Sequence, residues 1–353
     1  MRATDGLEIL PVRGIGDVTA GDDLAALITS AAPWLRDGDV LVVTSKIVSK
    51  AEGRLVEVPA DGPDRDAARA EVLAAETKRV VARRGATAIV QTHQGFVMAA
   101  AGIDASNVDK THLVLLPADP DASARALRDA LLERGLRVGV IVSDTMGRAW
   151  RNGLTDVALG AAGIAPLRDH RGEIDPYGNE LQLTEMAVID ELASAGELVK
   201  GKCDQVPVAV VRGYPDAGSS DTPGARVLLR DAASDMFSLG TAEARAAGLR
   251  EAATLSGSPA AAPDETAVQR ALATVAGLLT STVDRTAEGL RLVPPRPGAG
   301  EAGPGKTGPV GWIRLGEDAH RVRAALAAEG VASASVADDD GVTVTLGARQ
   351  GRP

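Results

Sequence analysis

From the N-terminus to about residue 250, short β-branched and aliphatic runs alternate with longer stretches whose apolar positions recur every three or four residues. Residues 7–12 and 39–44 read as strands, and the second, DVLVVT, is apolar enough to be buried on both faces. Between them Leu24, Leu27, Ile28, Ala31 and Leu35 fall on one helical stripe, with Asp22 or Asp23 placed to accept a free N–H of the first turn. Pro63 or Asp64 opens a helix expected to reach about Arg84, and Pro120 opens another that Gly135 stops. A buried strand (137–143, RVGVIVS), a helix (185–198) and a further buried strand (206–211, VPVAVV) follow. Strands alternating with helices predict an α/β fold with mixed α+β character.

Beyond Glu243 the texture changes. Ala-rich helical stretches give way to VPPRPGAGEAGPGKTGP, a linker composition. After it, 310–315 read as a strand, 318–329 as a helix, and 332–346 as a hairpin turning through Asp338-Asp339-Asp340-Gly341. The expected organisation is therefore a main domain over 1–245, a helical segment and linker over 246–309, and a small C-terminal α/β module over 310–353.

Composition narrows the function. A chain of 353 residues has room for about two domains. Its net charge of −10 repels phosphate backbones, and with only 2% aromatics it lacks stacking platforms for single strands, so nucleic acid is not an expected partner. One cysteine, Cys203, excludes an internal disulfide framework and any multi-cysteine metal site. The start MRATDGLEIL lacks a signal-peptide pattern and no stretch approaches 18 uninterrupted apolar residues, so a cytoplasmic protein without membrane association is expected.

Four loops carry candidate chemistry. Gly300 to Thr307 fits G-x-x-x-x-G-K-[ST], but Pro294, Pro295 and Pro297 stand where the strand of a phosphate loop should be and Gly308-Pro309 where its helix should propagate. It reads as a linker with an accidental GKT. The segment Ser143 to Gly153 follows a buried strand, where α/β sheets place ligands. There Asp144 and Thr145 offer hard oxygen donors to a divalent cation, and Arg148 and Arg151 suit phosphate; the plainer alternative is a polar loop in which Asp144 caps a helix. Asp104 and Asn107, in GIDASN, form an Asx-turn pattern by themselves but a partner carboxylate to Asp144 if the segments converge. Ser45, Lys46 and Lys50 follow one strand end, and Lys200-Gly201-Lys202 pairs two cations around a glycine; surface loops are the plainer alternative for both. His93, His112, His170 and His320 show no zinc spacing, and Cys203 has no base in sequence reach.

The blocks LEILPVRGIGDV, DVLVVTSKIVSKAEGR, AAAGIDASNV, VSDTMGRAWRNGLTDVALGAAGI, DPYGNELQLTEMAVIDELASAGELVKGK and VPVAVVRGY, in this order over about residues 7–245, resemble the coenzyme F-420-0:L-glutamate (γ-glutamyl) ligase family. The likeness extends to the ligase domain of larger actinobacterial-type members, which fuse it to a flavin domain. The resemblance implies a γ-glutamyl ligase-like fold with a small C-terminal appendage. It also implies a GTP-dependent enzyme of coenzyme F-420 biosynthesis that adds L-glutamate to coenzyme F-420-0, first by an amide and then by γ-linked extension, through an acyl phosphate. Mg²⁺ or Mn²⁺, with K⁺ as a further cation, and a homodimer are implied too.

Carried over position by position, the resemblance implies that Ile15, Gly16, Asp17, Val18, Ser45, Lys50, Asn107, Lys200, Gly201 and Lys202 contact GTP and that Asp104, Asp144 and Thr145 are metal ligands, with Lys50, Arg148 and Arg151 expected to stabilise charge in the reaction. The hundred or so residues after Glu243 do not match the fused flavin domain, which speaks against an FMN-dependent reductase in the C-terminal part. A non-catalytic GTP-binding protein would use the same loops.

Overall fold

The computed structural model describes residues 6–106, 108–215, 217–218, 222–253, 255, 264–294 and 308–348. Contacts divide the chain into two compact units, Met1–Gly240 and Thr241–Pro353.

The first unit is built on β1 (Glu8–Val12), α1 (Leu24–Ala31), β2 (Val40–Thr44), α2 (Ser45–Ala51), β3 (Leu55–Glu57), α3 (Gly62–Glu76), β4 (Thr77–Arg84), β5 (Thr87–Thr92), β6 (Val97–Ala99), β7 (His112–Val114), α4 (Pro120–Glu133), β8 (Gly139–Arg148), β9 (Arg151–Ala162), β10 (Arg168–Asp169), β11 (Glu185–Met186), α5 (Val188–Lys200) and β12 (Val208–Arg212). Its central sheet runs β1-β12-β2-β8-β9; β2 and β8 are parallel and the other pairs antiparallel. This is the mixed α/β architecture expected. As DVLVVT foretold, β2 is buried on both faces. Leu41 and Val43 pack under α1 and α4 with Val140 and Val142, and Val40 and Val42 pack under α5 with Ile141. Each such side chain contributes roughly 1.5–3 kcal/mol of burial. Asp23 caps α1 by accepting the N–H of Ala26 at 2.9 Å, worth about 1 kcal/mol.

Two readings of the first unit change. The helix opened near Pro63 ends at Glu76, and 77–84 form β4, because pairing with β5, itself paired with β6, outweighs the helix propensity of Ala, Lys and Arg. Residues 143–153 are not a loop: β8 and β9 continue as a hairpin past the sheet, turning at Trp150, whose φ is +58°.

The second unit comprises α6 (Thr241–Ala253), α7 (Glu265–Val275), β13 (Thr282–Arg285), β14 (Gly289–Val293), α8 (Pro309–Ala328), β15 (Val331–Asp338) and β16 (Gly341–Ala348). Its antiparallel sheet runs β13-β14-β16-β15, and Leu290, Leu292, Val342 and Val344 share a core with Val268, Leu315 and Val322 of α7 and α8. One sheet and one core thus unite residues on both sides of 309. The predicted strand at 310–315 is the start of α8, for Pro309 occupies the first helical turn, where its missing N–H is harmless. The β15–β16 hairpin turns at Asp338↔Gly341 as read. The stretch 295–307, including the GKT match, lies outside the described residues. Among the described residues no helix is long and apolar enough to cross a membrane.

Candidate functional site

Strands β2 and β8 run side by side in the same direction, with Thr44 opposite Ser143, so both carboxyl ends open at one edge. Ligands of open α/β sheets bind there. Beyond that edge β2 passes directly into α2 and β8 into the hairpin. A register shift between Val142 and Ser143 changes the pairing just before the polar segment, and Thr145 then stands directly across from Asp156 of β9. Irregularities of this kind re-aim side chains beside active sites.

Asp104 reaches the same neighbourhood from a different segment. Ala100, Ala101 and Gly102 all have positive φ (+49°, +54°, +69°), a costly run for alanine, and the chain leaves it for a bridge between Asp104 and Val114. Asp104 Oδ1 accepts the N–H of Ser106 at 2.7 Å, and Oδ2 accepts the Ser106 hydroxyl at 3.0 Å. Lys46 of α2 places Nζ 2.6 Å from Oδ2. Burial works to raise this carboxyl, but Lys46 and Ser106 outweigh it and hold it below the usual carboxylate range.

Asp144 behaves oppositely. Burial pushes its carboxyl up to about 6, hydrogen bonds from Thr145 N–H and Ser45 only partly counter this, and the charges of Asp156 and Asp104 add to the rise. Three carboxylates therefore feel one another at the strand end. By the alternation of β8, Asp144 points to the face shared with Val142 and Thr145 to the face shared with Ser143 and α5.

Helix α5 lies against that second face and is laced to β9: Asp190 accepts the N–H of Ala158 at 2.8 Å and Ser194 Oγ donates to the Asp156 carbonyl at 2.8 Å. At its C-terminal end Lys200, only 1% exposed, sets Nζ 2.9 Å from Asp156 Oδ2 and 3.0 Å from Ser143 Oγ. Ser143 Oγ donates to the same Oδ2 at 2.9 Å, and Glu197 approaches Lys200 at 3.4 Å. The Thr145 hydroxyl donates to the other oxygen, Asp156 Oδ1, at 2.7 Å. Burial would raise the Asp156 carboxyl; Lys200, Thr145 and Ser143 keep it lowered. Gly201, with φ +65°, then turns the chain where a Cβ would lie 2.7 Å from Asp204 Oδ2. The turn brings exposed Lys202 back, its Nζ 2.7 Å from Thr145 Oγ1 and 2.5 Å from Glu197.

Asp104, Asp144 and Thr145 therefore lie near one strand end, Asp144 with Ser45 and the charge of Asp104 on one face of β8 and Thr145 with Asp156 on the other. Lys50 lies one turn beyond Lys46 on α2. The Ile15 and Val18 side chains belong to the core, so of residues 15–18 Gly16 and Asp17 are the exposed pair. Lys200, read from the sequence as a nucleotide contact, spends its ammonium inside the protein. Arg148 and Arg151 stand at the exposed hairpin tip, away from the buried network. Asn107 lies outside the described residues. Sequence reasoning passed over Asp156, Glu197 and the part played by Lys46; a lone Asp beside the apolar run VALGAA was the available signal, since a charge in a buried strand demands a partner.

The family model for F420-0:gamma-glutamyl ligase matches residues 14–213, more than half of the chain and wholly within the first unit. The chain belongs to that family. Its relatives include the coenzyme F420:L-glutamate ligase of Methanothermobacter thermautotrophicus, 41% identical over 250 residues that cover 66% of this chain and 99% of the relative. Enzymes of the same name from Methanopyrus kandleri and Haloarcula marismortui are 40% and 42% identical, covering 65% of this chain in each case and 97% and 95% of the relatives. About a third of this chain thus lies outside each match.

Asp104, Asp144 and Thr145 offer hard oxygens: two carboxylates and a hydroxyl. Among the described residues no three His, Cys, Asp or Glu side chains are grouped so that they could hold a metal ion by themselves. An open set of this kind fits Mg²⁺ or Mn²⁺, which complete their shells with water and substrate phosphate.

Proposed function

We propose that the first unit is a GTP- and divalent-cation-dependent ligase that joins L-glutamate to coenzyme F-420-0 and extends it by γ-linkage, with K⁺ as an additional cation. The observation that carries this reading is the placing of Asp104, paired with Lys46, of Asp144, which feels its charge, and of Thr145, paired with Lys202, near the carboxyl ends of β2 and β8. Asp104 and Asp144 would hold one cation and the Thr145 hydroxyl the same or a second. When bound, the cation supplies charge neutralisation for the transferring phosphoryl oxygens.

The protein's residues do the rest. The exposed backbone at Gly16 and Asp17, with Ser45, Lys50, Asn107, Gly201 and Lys202, binds the nucleotide. Lys46, Lys50 and Lys202 bring ammonium groups to phosphate oxygens as point charges. Arg148 and Arg151, on the hairpin, serve the anionic substrates. GTP gives its γ-phosphoryl group to the substrate carboxylate, leaving GDP. The neutral amine of glutamate then attacks the acyl carbon, phosphate departs, and the ammonium proton is lost to solvent. Excluding water from the acyl phosphate is the site's remaining task.

We also infer a homodimer. Trp150 and Leu154 on the hairpin, and Ile174, Tyr177 and Leu183 on the β10–β11 excursion, are 69–92% exposed, large apolar groups that a second copy would cover.

Incubation with coenzyme F-420-0, GTP, Mn²⁺ and L-glutamate, read by mass, tests the reading. Glutamate adducts that require all four components support it. GTP binding without adducts would favour a binding protein instead.

A further inference from the structure

Among the buried polar side chains of the first unit that take no direct part in this scheme, Ser143, Asp156 and Lys200, exposed by 0%, 2% and 1%, form one cluster. A buried ion pair is expensive to desolvate, and apolar groups of similar volume often leave a protein no less stable. Stability alone is therefore a poor account of the trio. Its geometry offers a better one. Asp156 Oδ2 is saturated by Lys200 Nζ at 2.9 Å and Ser143 Oγ at 2.9 Å, and Lys200 also donates to Ser143 at 3.0 Å. The triangle fixes the carboxylate plane and leaves Oδ1 to accept the Thr145 hydroxyl at 2.7 Å, with the Lys202 ammonium 4.0 Å from the same oxygen.

We propose that Asp156, locked by Lys200 and Ser143, is a positioning residue that takes the Thr145 proton inward and so presents the Thr145 oxygen outward as a cation ligand. This rests on the reading of Thr145 as a metal ligand. A free threonine hydroxyl rotates and offers a donor or an acceptor with equal ease. Here the proton is committed to an anion, so the oxygen can act only as an acceptor on its other side, and sharing the proton raises the electron density on it. The outward side already accepts a positive group, the Lys202 ammonium at 2.7 Å. Partners that fix a ligand's proton in this way strengthen metal binding about ten- to a hundredfold in other sites.

The test is Mn²⁺ binding to the full chain, followed by electron paramagnetic resonance. Asp156→Asn keeps the size of the side chain but turns an amide toward Thr145, and its affinity for Mn²⁺ is expected to fall about ten- to a hundredfold. In a Thr145→Ala background the same change is expected to matter by no more than about twofold, since the group it acts through is gone. The paired variant Asp156→Leu with Lys200→Met removes both charges together and guards against misfolding of the single change; folded by circular dichroism, it should show the same weakened binding. Wild-type affinity in Asp156→Asn or in the paired variant, or an equal loss with and without Thr145, overturns the proposal. Wild-type protein that binds no Mn²⁺ overturns the cation reading itself, and this inference with it.

Discussion

Each unit buries aspartate, to opposite ends. In the second unit Asp318, fully buried on α8, accepts four bonds on Oδ2 from the N–H and hydroxyl groups of Thr280 and Ser281, all at 2.8 Å, and one on Oδ1 from Arg321 at 2.6 Å. Although burial opposes them, these donors bring its carboxyl down to about 2. In the first unit Asp144 is half-buried, and burial, with the charges of Asp156 and Asp104 adding to it, pushes its carboxyl up to about 6. A carboxylate saturated by donors from its own unit closes a turn and asks for nothing more. Asp144 instead stands at an open strand end, beside carboxylates whose own charges are met by Lys46 and Lys200. The contrast separates a structural acid from a site.

The contrast breaks most visibly through Asp144→Asn, which removes an anionic ligand. Ligation is expected to fall on the order of 10²–10³-fold with the fold unchanged by circular dichroism, and Asp104→Asn to act alike. Near wild-type turnover in both would remove the metal assignment. Asp318→Asn should do the reverse: stability of the second unit falls by about 1–3 kcal/mol as buried donors lose their partner, while ligation holds. Calorimetry with the mass assay reads both.

Acid sharpens the same comparison. The folded carboxyl of Asp318 titrates near 2, below the ordinary value of 3.8, so its contribution is complete above about pH 4 and is lost as pH falls toward 2. The acid-induced loss of the second unit's stability over that window should shrink in Asp318→Asn. An unchanged acid profile would show that other groups govern it.

Much of this was legible in the sequence because pattern and burial agree. In β2 both faces are covered, so the four residues 40–43, VLVV, include no polar position, and Asp23 and Gly135 mark helix ends by local chemistry alone. The failures lie where distant partners decide. TKRVVARR has helix-forming residues but pairs as β4, and VGWIRL, short and apolar, reads as a strand until Pro309 opens α8. For the site, Asp144 and Thr145 stood out as a polar cluster after a buried strand. Asp156 did not, because its meaning lies in a cross-strand register and in Lys200, 44 residues away.

A smaller effect is expected from removing the second unit. The family match ends at residue 213, inside the first unit, which has its own cores. The cut belongs after Gly240: Arg79 donates to the Ser238 carbonyl at 2.7 Å, and a Cβ at Gly240 would stand 1.7 Å from the Val81 carbonyl, so 238–240 are built into the first unit. Residues 1–240 should ligate glutamate at close to the full-chain rate and keep the dimer by light scattering. A folded, dimeric but inactive product would assign the second unit a share in catalysis.

The smallest effect is expected at Lys306, within the GKT match outside the described residues. One sequence argument against a phosphate loop there does not survive, since Gly308-Pro309 do not prevent a helix: Gly308 is the N-cap of α8 and Pro309 lies in its first turn. Two others stand. A phosphate loop takes its Lys and Thr into the start of the helix, whose N–H groups then meet the phosphates, whereas α8 starts only after Gly308. The strand before it, β14, pairs antiparallel with both β13 and β16, not within a parallel nucleotide-binding sheet. Lys306→Ala should therefore leave the KM for GTP and kcat as they are. A raised KM for GTP would place nucleotide in the second unit, and the division of labour between the two buried aspartates would have to be drawn again.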